Sequence, residues 1–253
     1  MQVAVDGPAS AGKSTVAKII ASKLSFVYID TGAMYRACTV IARNHNLDYG
    51  DEAGILNAID EDGIELKSEN GEQKVYVAGK DVSKEIRTPE ISANVSEVSA
   101  LPKVREKMVS LQREMAGKTN VIMDGRDIGT TVLPNSEVKI FLVASARSRA
   151  ERRLLDFKER GIKSDQTVDE IEKDIAARDY KDSHRKISPL KKADDAIEID
   201  TTNMSIDEVV EAILAQIEKK KKKLEKIAQN SRKISRFPIK WDMILGGTYV
   251  RKQ

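Results

Sequence analysis

The chain has 253 residues, of which 40% are hydrophobic, with 43 Lys+Arg against 40 Asp+Glu. This length accommodates one sizeable α/β domain with an insertion, or two small domains. A single cysteine, Cys38, excludes a disulfide scaffold and a multi-cysteine zinc site, and it fits a reducing compartment. Two histidines are too few for a histidine-rich metal centre, and no apolar run reaches the roughly 20 residues that span a bilayer. Because the first residues also lack the pattern of a signal peptide, we expect a cytoplasmic protein without membrane contact.

Strand and helix patterns alternate in the first part of the chain. Residues 2–6 and 26–30 are rich in β-forming residues, and apolar residues recur with helical spacing from Val16 to Leu24. Residues 34–42 predict a second helix. After Ile64 the pattern changes to a period of two around Asn-Gly, which indicates a hairpin. A small antiparallel element therefore interrupts the strand–helix alternation at about residues 61–87.

The alternation resumes in the second half. Residues 121–124 and 138–143 are continuous apolar runs, typical of strands buried on both faces of a parallel sheet, and residues 196–200 predict a last strand. Helices are predicted at residues 102–115, 145–160 and 167–178, and from residue 205 onward. Strands that alternate with helices predict an α/β domain with a parallel sheet and right-handed crossovers.

A phosphate-binding loop follows the first predicted strand and precedes a helix. It reads G-P-A-S-A-G-K-S and matches G-x-x-x-x-G-K-[ST]. Glycines let the backbone amides converge on phosphate oxygens, Lys13 would neutralise the β- and γ-phosphates, and the Ser14 hydroxyl would bind Mg²⁺. A glycine-rich turn that binds nothing is the disfavoured alternative. The residues expected at ATP are Gly7, Pro8, Ala9, Ser10, Ala11, Gly12, Lys13, Ser14 and Thr15.

Arginines near the ends of predicted elements suggest a second anionic substrate. The N-K-x-D string that a GTPase uses to read guanine is absent. Joining two phosphorylated molecules requires guanidinium groups and Mg²⁺ to offset their repulsion. Solvated or acid-paired arginines are the alternative for any single position. The arginines concerned are Arg36, Arg105, Arg126, Arg178 and Arg185.

Four strings resemble those of bacterial cytidylate kinases. They are D-T-G-A-M-Y-R at 30–36, Ser96 with Pro102 and Arg105, D-G-R-D-I-G-T at 124–130, and R-D-x-x-D-x-x-R at 178–185. The likeness extends from about Val3 to Ile217. It implies a P-loop nucleoside-monophosphate-kinase-like α/β fold, with a parallel sheet flanked by helices, an inserted small antiparallel lobe that binds the monophosphate, and a helical lid. It also implies Mg²⁺-dependent transfer of the γ-phosphoryl group of ATP to CMP or dCMP.

The resemblance assigns roles to individual residues. Lys13, Arg126, Arg185 and Asp124 would act in catalysis, with Asp124 meeting Mg²⁺ through water. Arg36 and Arg126 would hold the CMP phosphate, and Arg185 would touch both the phosphate and the base. Ser96, Arg178 and Asp182 would bind the sugar, and Thr31, Arg105 and Asp127 would read cytosine. An acid that caps the next turn is the alternative for Asp124.

A lid at about residues 145–167 would close over ATP and exclude water. Within it we expect Arg149, Arg153 and Arg160 to meet the phosphates of ATP. An exposed helix with surface ion pairs is the alternative, and it is expected for at least two of the lid arginines.

The last residues differ from the body in charge. Residues 219–253 contain 12 Lys+Arg, five of them consecutive lysines, and only two acids. A basic segment of this kind can bind RNA or an anionic membrane surface. The composition favours instead a solvated, partly disordered extension to a kinase domain at 1–218, whose core is 1–60 and 88–218. We expect a monomer. The alternatives to a cytidylate kinase are another nucleoside-monophosphate kinase, or a non-catalytic ATP-binding module with a nucleic-acid-binding tail.

Overall fold

The computed structural model describes residues 1–69, 72–117, 119–159, 161–162 and 164–234, with the side chains of the last helix through residue 229. The helices and strands are, in chain order, β1 (Gln2–Asp6), α1 (Lys13–Leu24), β2 (Val27–Asp30), α2 (Thr31–Asn44), α3 (Glu52–Asp62), β3 (Ile64–Glu69), β4 (Glu72–Val77), β5 (Lys80–Asp81), a 3₁₀ turn (Glu85–Arg87), α4 (Pro89–Val98), α5 (Pro102–Ala116), β6 (Val121–Gly125), a π-helical turn (Ile128–Val132), β7 (Val138–Val143), α6 (Ala146–Glu159), α7 (Val168–His184), β8 (Ile197–Asp200) and α8 (Ile206–Ile234). The chain divides into two compact units, Met1–Leu214 and Ala215–Gln253.

A five-stranded parallel sheet forms the centre of the first unit, in the order β2-β6-β1-β7-β8. β1 lies in the middle, with Val3 opposite Ile122 of β6 and Val138 of β7. β6 is buried along its whole length, as expected for a strand covered by helices on both faces. The predicted parallel α/β fold is therefore confirmed. Its topology matters for function, because the carboxyl ends of β1, β2 and β6 meet at one edge of the sheet.

The predicted antiparallel insertion is a three-stranded sheet of β3, β4 and β5. Ile64 pairs with Val77 at one end of the hairpin, and Glu69 pairs with Glu72 at the other. The Asn-Gly turn itself lies outside the described residues. Val75 and Val77 belong to the same buried cluster as the apolar face of α2. The insertion is thereby packed against the helix that follows β2.

Two helices were not predicted from the sequence, and one is longer than predicted. α3 begins after Asp51, whose carboxylate accepts the Gly54 amide, and α4 begins with Pro89 in its first turn. Their buried apolar residues recur at helical spacing, as at Ile91, Val95 and Val98, but both helices are too short to be stable alone, so tertiary packing stabilises them. α7 continues to His184 rather than ending at Arg178. Asp182 therefore lies on a helix, one turn beyond Arg178.

The helix α8 continues into the basic extension. Residues 219–234 are helical because lysine, leucine, glutamate and alanine all have favourable helix propensities, and partial disorder of residues 219–253 as a whole stays a prediction. The rest of the extension, residues 235–253, lies outside the described residues. No helix in the described ranges is long and apolar enough to cross a bilayer.

Candidate active site

The phosphate loop connects β1 to α1 and depends on close backbone approach. A Cβ atom at Gly7 would lie 2.1 Å from the carbonyl oxygen of Leu142 on β7, and the φ of Gly7 is 146°, so only glycine fits. Gly12 stands at the N-cap of α1, and in the described structure no side chain caps that helix. The positive end of α1 is therefore available to an anion.

Lys13 lies buried at the start of α1. Its Nζ donates to the carbonyl oxygen of Pro8 at 2.6 Å. Burial, together with the positive charge of Arg126, lowers the pKa of Lys13 to about 7. A phosphate next to this amine would favour its charged form, which is the chemistry expected of a phosphate-loop lysine.

Asp124 ends β6 beside the phosphate loop. Its carboxylate accepts hydrogen bonds from Ser14 Oγ at 2.8 Å and from the Tyr28 hydroxyl at 2.7 Å. Burial and the nearby charge of Asp30 raise the pKa of Asp124 to about 6. The structure therefore brings the two predicted Mg²⁺ residues, Ser14 and Asp124, into direct contact.

The side chains of Ser14 and Asp124 are suitable ligands for Mg²⁺. A hydroxyl and a carboxylate are the hard oxygen ligands that Mg²⁺ prefers. Among the described residues there is no cluster of three or more His, Cys, Asp or Glu side chains able to hold a metal. One protein carboxylate with substrate phosphates and water is the usual environment of Mg²⁺ in a nucleotide site, so the donor set fits this ion.

Asp6, which the sequence reasoning did not single out, holds the loop after β6. Its two carboxylate oxygens accept the backbone amides of Ile128 at 2.8 Å and Gly129 at 2.7 Å. Burial raises the pKa of Asp6 to about 7. The acid directly before the phosphate loop was the available signal. Through these bonds the end of β1 sets the position of the segment that carries Arg126 and Asp127.

Thr31 joins the start of α2 to the end of β6. Its Oγ1 donates to the carbonyl oxygen of Asp124 at 2.8 Å. A Cβ atom on the next residue, Gly125, would lie 2.6 Å from this hydroxyl oxygen. The glycine of the D-G-R-D string is therefore required by the approach of Thr31.

Asp127 lies between two arginines. Arg105 Nη2 donates to its Oδ2 at 2.5 Å, and Arg185 Nη2 lies 3.6 Å from its Oδ1. Arg105 and Asp127 are almost fully buried. Arg105 also lies over the Tyr35 ring, with its guanidinium carbon 5.1 Å from the ring centre.

Asp182 lies between a second pair of arginines. Arg126 Nε donates to its Oδ2 at 3.0 Å, and Arg178 Nε lies 4.0 Å from the same oxygen. Ser96 Oγ donates to its Oδ1 at 3.2 Å. Burial by itself would raise the pKa of Asp182, but the charges of Arg126, Arg178 and Arg185 outweigh it and lower the pKa. Asp182 is therefore held as a carboxylate.

These groups line a small cavity of about 50 Å³ that opens to solvent. A typical ligand site measures about 300–1,000 Å³, so this cavity is smaller than most ligand sites. Seven of the nine residues predicted for CMP line it. Of the five additional lining residues, Gly32, Tyr35 and Gly125 lie inside the quoted strings, whereas Val95 and Ser99 lie only near one. The seven are Thr31, Arg105, Arg126, Asp127, Arg178, Asp182 and Arg185.

The other two predicted CMP residues, Arg36 and Ser96, do not line this cavity. Arg36 Nη1 donates to Ser92 Oγ at 2.6 Å and to the carbonyl oxygen of Ile86 at 3.1 Å. Ser96 lines a second cavity of about 350 Å³, which also includes Arg153 and Arg178. Arg178 lines both cavities, so Ser96 lies beside the first one rather than in it. Arg36 lines neither cavity and contacts Ser92, which lines the second.

The lid arginines have different environments. Arg149 is buried and donates to the carbonyl oxygen of Ala9 at 3.1 Å and to Asp179 at 2.5 Å, so it supports the phosphate loop. Arg153 lies over the Phe157 ring and lines the second cavity. Arg147 forms exposed ion pairs with Asp169 and Glu172, as expected for a surface arginine. Arg160 lies outside the described residues. Thr15 is exposed on α1.

Comparison with known proteins identifies the family of this chain. The family model described as cytidylate kinase matches residues 3–219. A curated cytidylate kinase of Lactobacillus johnsonii is 72% identical over 222 residues, which is 88% of this chain and 96% of that protein. The cytidylate kinase of Streptococcus gordonii is 54% identical over 225 residues, covering 88% of this chain and 97% of that protein. The chain belongs to the cytidylate kinase family, and it is a phosphotransferase of the P-loop class.

Proposed function

We propose that this enzyme transfers the γ-phosphoryl group of ATP to CMP or dCMP, giving CDP or dCDP. One observation carries the proposal. Within the described residues, three buried guanidinium nitrogens at the first cavity have no hydrogen-bond acceptor: Arg105 Nε, Arg178 Nε and Arg185 Nη2. Buried donors without acceptors are costly, at about 1–3 kcal/mol each or more when charged. An acceptor-rich anion such as a nucleotide monophosphate satisfies them.

On the acceptor side, the charge pattern supports a nucleotide held by its phosphate and by its base. Arg126 and Arg185 would bind the phosphate with planar two-donor groups, with Arg36 beside them. Thr31, Arg105 and Asp127 would read cytosine, since its amine donates while its ring nitrogen and carbonyl accept. Ser96, Arg178 and Asp182 would hold the sugar hydroxyls.

On the donor side, the phosphate loop with Lys13 would hold the triphosphate of ATP. Ser14 and Asp124 would hold Mg²⁺, which offsets the negative charge of the phosphates when bound. Arg149 would stabilise the conformation of the phosphate loop through its hydrogen bond to the carbonyl oxygen of Ala9. Arg153 and Arg160 on the lid would approach ATP when the lid closes.

The reaction needs no covalent intermediate and no dedicated general base. An oxygen of the CMP phosphate, already a dianion, attacks the γ-phosphorus in line, and the bond to the β-phosphate oxygen breaks. Lys13, Arg126 and Arg185 stabilise the charge that spreads over the transferred group. Positioning of the two nucleotides supplies much of the remaining rate. Closure of the lid at about 145–167 excludes water, which would otherwise accept the phosphoryl group.

We also propose the extent of the catalytic part. The kinase domain comprises 1–218, with the core at 1–60 and 88–218 and the monophosphate-binding insertion at about 61–87. Residues 220–253 lie outside the family match, which supports their assignment as an extension. The enzyme would act as a monomer in the cytoplasm, and nucleic-acid contact by the basic extension is the disfavoured alternative. Truncation after Glu218 should leave the kinetic constants within about twofold, and light scattering should give one chain per particle.

A coupled ADP-release assay with CMP, dCMP, UMP and AMP tests the function. We expect turnover with CMP and dCMP. Turnover with no acceptor would leave the non-catalytic ATP-binding module, and preference for AMP would indicate a different monophosphate kinase. Arg36→Ala should raise the KM for CMP and leave the affinity for ATP nearly intact, whereas Lys13→Ala should mainly lower kcat. Unchanged constants in the Arg36 variant would refute its assigned role.

A further inference from the structure

Among the strands that the structure describes, β2 forms one edge of the parallel sheet and pairs only with β6. An edge strand leaves one row of backbone amides and carbonyls without a neighbouring strand. At this edge the side chain of Gln73, from β4 of the insertion, takes the place of that strand. Gln73 Nε2 donates to the carbonyl oxygen of Tyr28 at 3.0 Å, and Gln73 Oε1 accepts the amide of Asp30 at 3.1 Å.

The two backbone groups that Gln73 engages lie directly before α2. Asp30 caps that helix, since its Oδ1 accepts the amide of Ala33 at 2.9 Å. Asp30 Oδ2 also lies 3.7 Å from Arg87, which comes from the end of the same insertion. Two contacts from the insertion therefore meet at one residue, and the backbone contact by Gln73 is the one with hydrogen-bond geometry.

The helix that starts here carries acceptor-side residues. Thr31, the next residue after Asp30, donates to the carbonyl of Asp124 and lines the first cavity. Tyr35 lines it one turn later, and Arg36 follows on the same helix. A shift of β2 relative to the insertion would therefore move Thr31, whose hydroxyl is in contact with the end of β6.

We propose that Gln73 is a positioning residue for the acceptor nucleotide: its carboxamide locks the insertion onto the edge of β2 and thereby sets the placement of Thr31 and the first turns of α2. Gln73 does not touch the substrate and acts through Asp30. The proposal deepens the proposed function and rests on it, because the site that Gln73 orients is the one assigned to CMP.

Two substitutions of Gln73 distinguish a role of its two hydrogen bonds from a role of its side-chain volume. Gln73→Glu retains the size of the side chain and one acceptor, but its second oxygen faces the Tyr28 carbonyl instead of donating to it. Gln73→Ala removes both bonds. Lys74→Ala is the matched control, because Lys74 is the next residue of β4, points to the opposite face of that sheet and pairs only loosely with Glu72 at 3.7 Å.

The experiment uses the full chain and measures CMP affinity by calorimetry without ATP, together with steady-state kinetics and amide exchange. We expect both Gln73 variants to bind CMP about 5–10-fold more weakly, with a matching rise in the KM for CMP, an unchanged KM for ATP and a kcat within about twofold. The Asp30 amide should exchange faster with solvent in both variants. Lys74→Ala should match the wild type in all of these measurements.

Two results would overturn the proposal. One is unchanged CMP affinity in both Gln73 variants, even with a lower melting temperature, which would make the contact merely structural. The other is loss of affinity in Gln73→Ala alone, which would assign the effect to side-chain volume. Should Gln73→Ala fail to fold, the nearly isosteric Gln73→Glu still decides the matter through CMP affinity and Asp30 exchange. Failure of the proposed function is a separate result, in which the wild type itself binds or phosphorylates no CMP.

Discussion

Arg126 Nε donates to Asp182 Oδ2 at 3.0 Å, joining the loop after β6 to the last turn of α7. The two residues stand 56 positions apart in the chain. Both are largely buried, so neither charge is well solvated. Asp182 also faces Arg178 at 4.0 Å, and it thereby holds together arginines that would otherwise repel one another.

The first prediction concerns Asp182. Asp182→Asn should destabilise the protein by about 3 kcal/mol, because it leaves the Arg126 and Arg178 charges buried without a counter-charge. The KM for CMP should rise, while the KM for ATP stays nearly constant. Urea unfolding and steady-state kinetics measure these effects. Asp169→Asn, at an exposed ion pair, is the control and should leave both unchanged. Equal stability of the two variants would contradict the role of Asp182 as a buried counter-charge.

The second prediction compares two glycines. Gly125→Ala should destabilise the protein by about 1–3 kcal/mol, because the new methyl group would lie 2.6 Å from Thr31 Oγ1 and 2.7 Å from Ile128 Cδ1. Gly117→Ala should be neutral or slightly stabilising, since its nearest contact is 3.4 Å and it has negative φ. Thermal unfolding of both variants is the measurement. A melting temperature of Gly125→Ala at or above that of Gly117→Ala would show that Thr31 can move away freely.

The third prediction concerns proton uptake by Lys13. Burial and Arg126 lower the pKa of Lys13 to about 7, so at pH 8 the free protein holds this amine mostly neutral. A bound triphosphate raises that pKa, and binding should therefore take up part of a proton at pH 8 and much less from this group at pH 6. Calorimetry of a non-hydrolysable ATP analogue in buffers of different ionisation enthalpy measures the uptake. The Lys13→Met variant should show no such proton uptake. Equal uptake by the variant and the wild type at pH 8 would show that a group other than Lys13 binds the proton.

The fourth prediction concerns the thiol of Cys38. This side chain is fully buried on α2, and burial raises its pKa to about 12. It should not react with a thiol reagent at pH 8 in the native protein and should react fully in denaturant. Because only the unfolded state ionises between pH 9 and about 12, this group should lower stability as the pH rises through that range. In Cys38→Ala, the free energy of unfolding should therefore fall less steeply over this pH range. Rapid modification of the native protein would contradict its burial.

Local sequence patterns were sufficient for the elements that carry the phosphate chemistry. The turn at Gly7 and Gly12, the strand before it and the helix after it follow from glycine freedom and from apolar periods, which act over a few residues. The capping box at Thr167 and Glu170 is likewise local, and the structure contains both of its hydrogen bonds. The short helix α3 packs against the neighbouring α2 and the more distant α5, and these tertiary contacts stabilise a helix too short to be stable alone.

The arrangement of the candidate site could be predicted only in part. The arginine-rich strings placed Arg105, Arg126 and Arg185 together, and the structure lines one cavity with all three. It did not follow from those strings that Asp127 would face Arg105, or that Asp182 would face Arg126. Strand order decides these pairings, because it brings the ends of β1 and β6 beside α7.

By itself, the amino-acid sequence determined the class of protein: a phosphate loop in a parallel α/β domain, with strings that resemble those of cytidylate kinases. Only the tertiary structure decided which groups support that site, namely Asp6 under the loop after β6 and Gln73 at the edge of β2. The reason is distance along the chain. Asp6 and Ile128 are 122 positions apart, and no local propensity reports a contact that depends on how five strands are ordered.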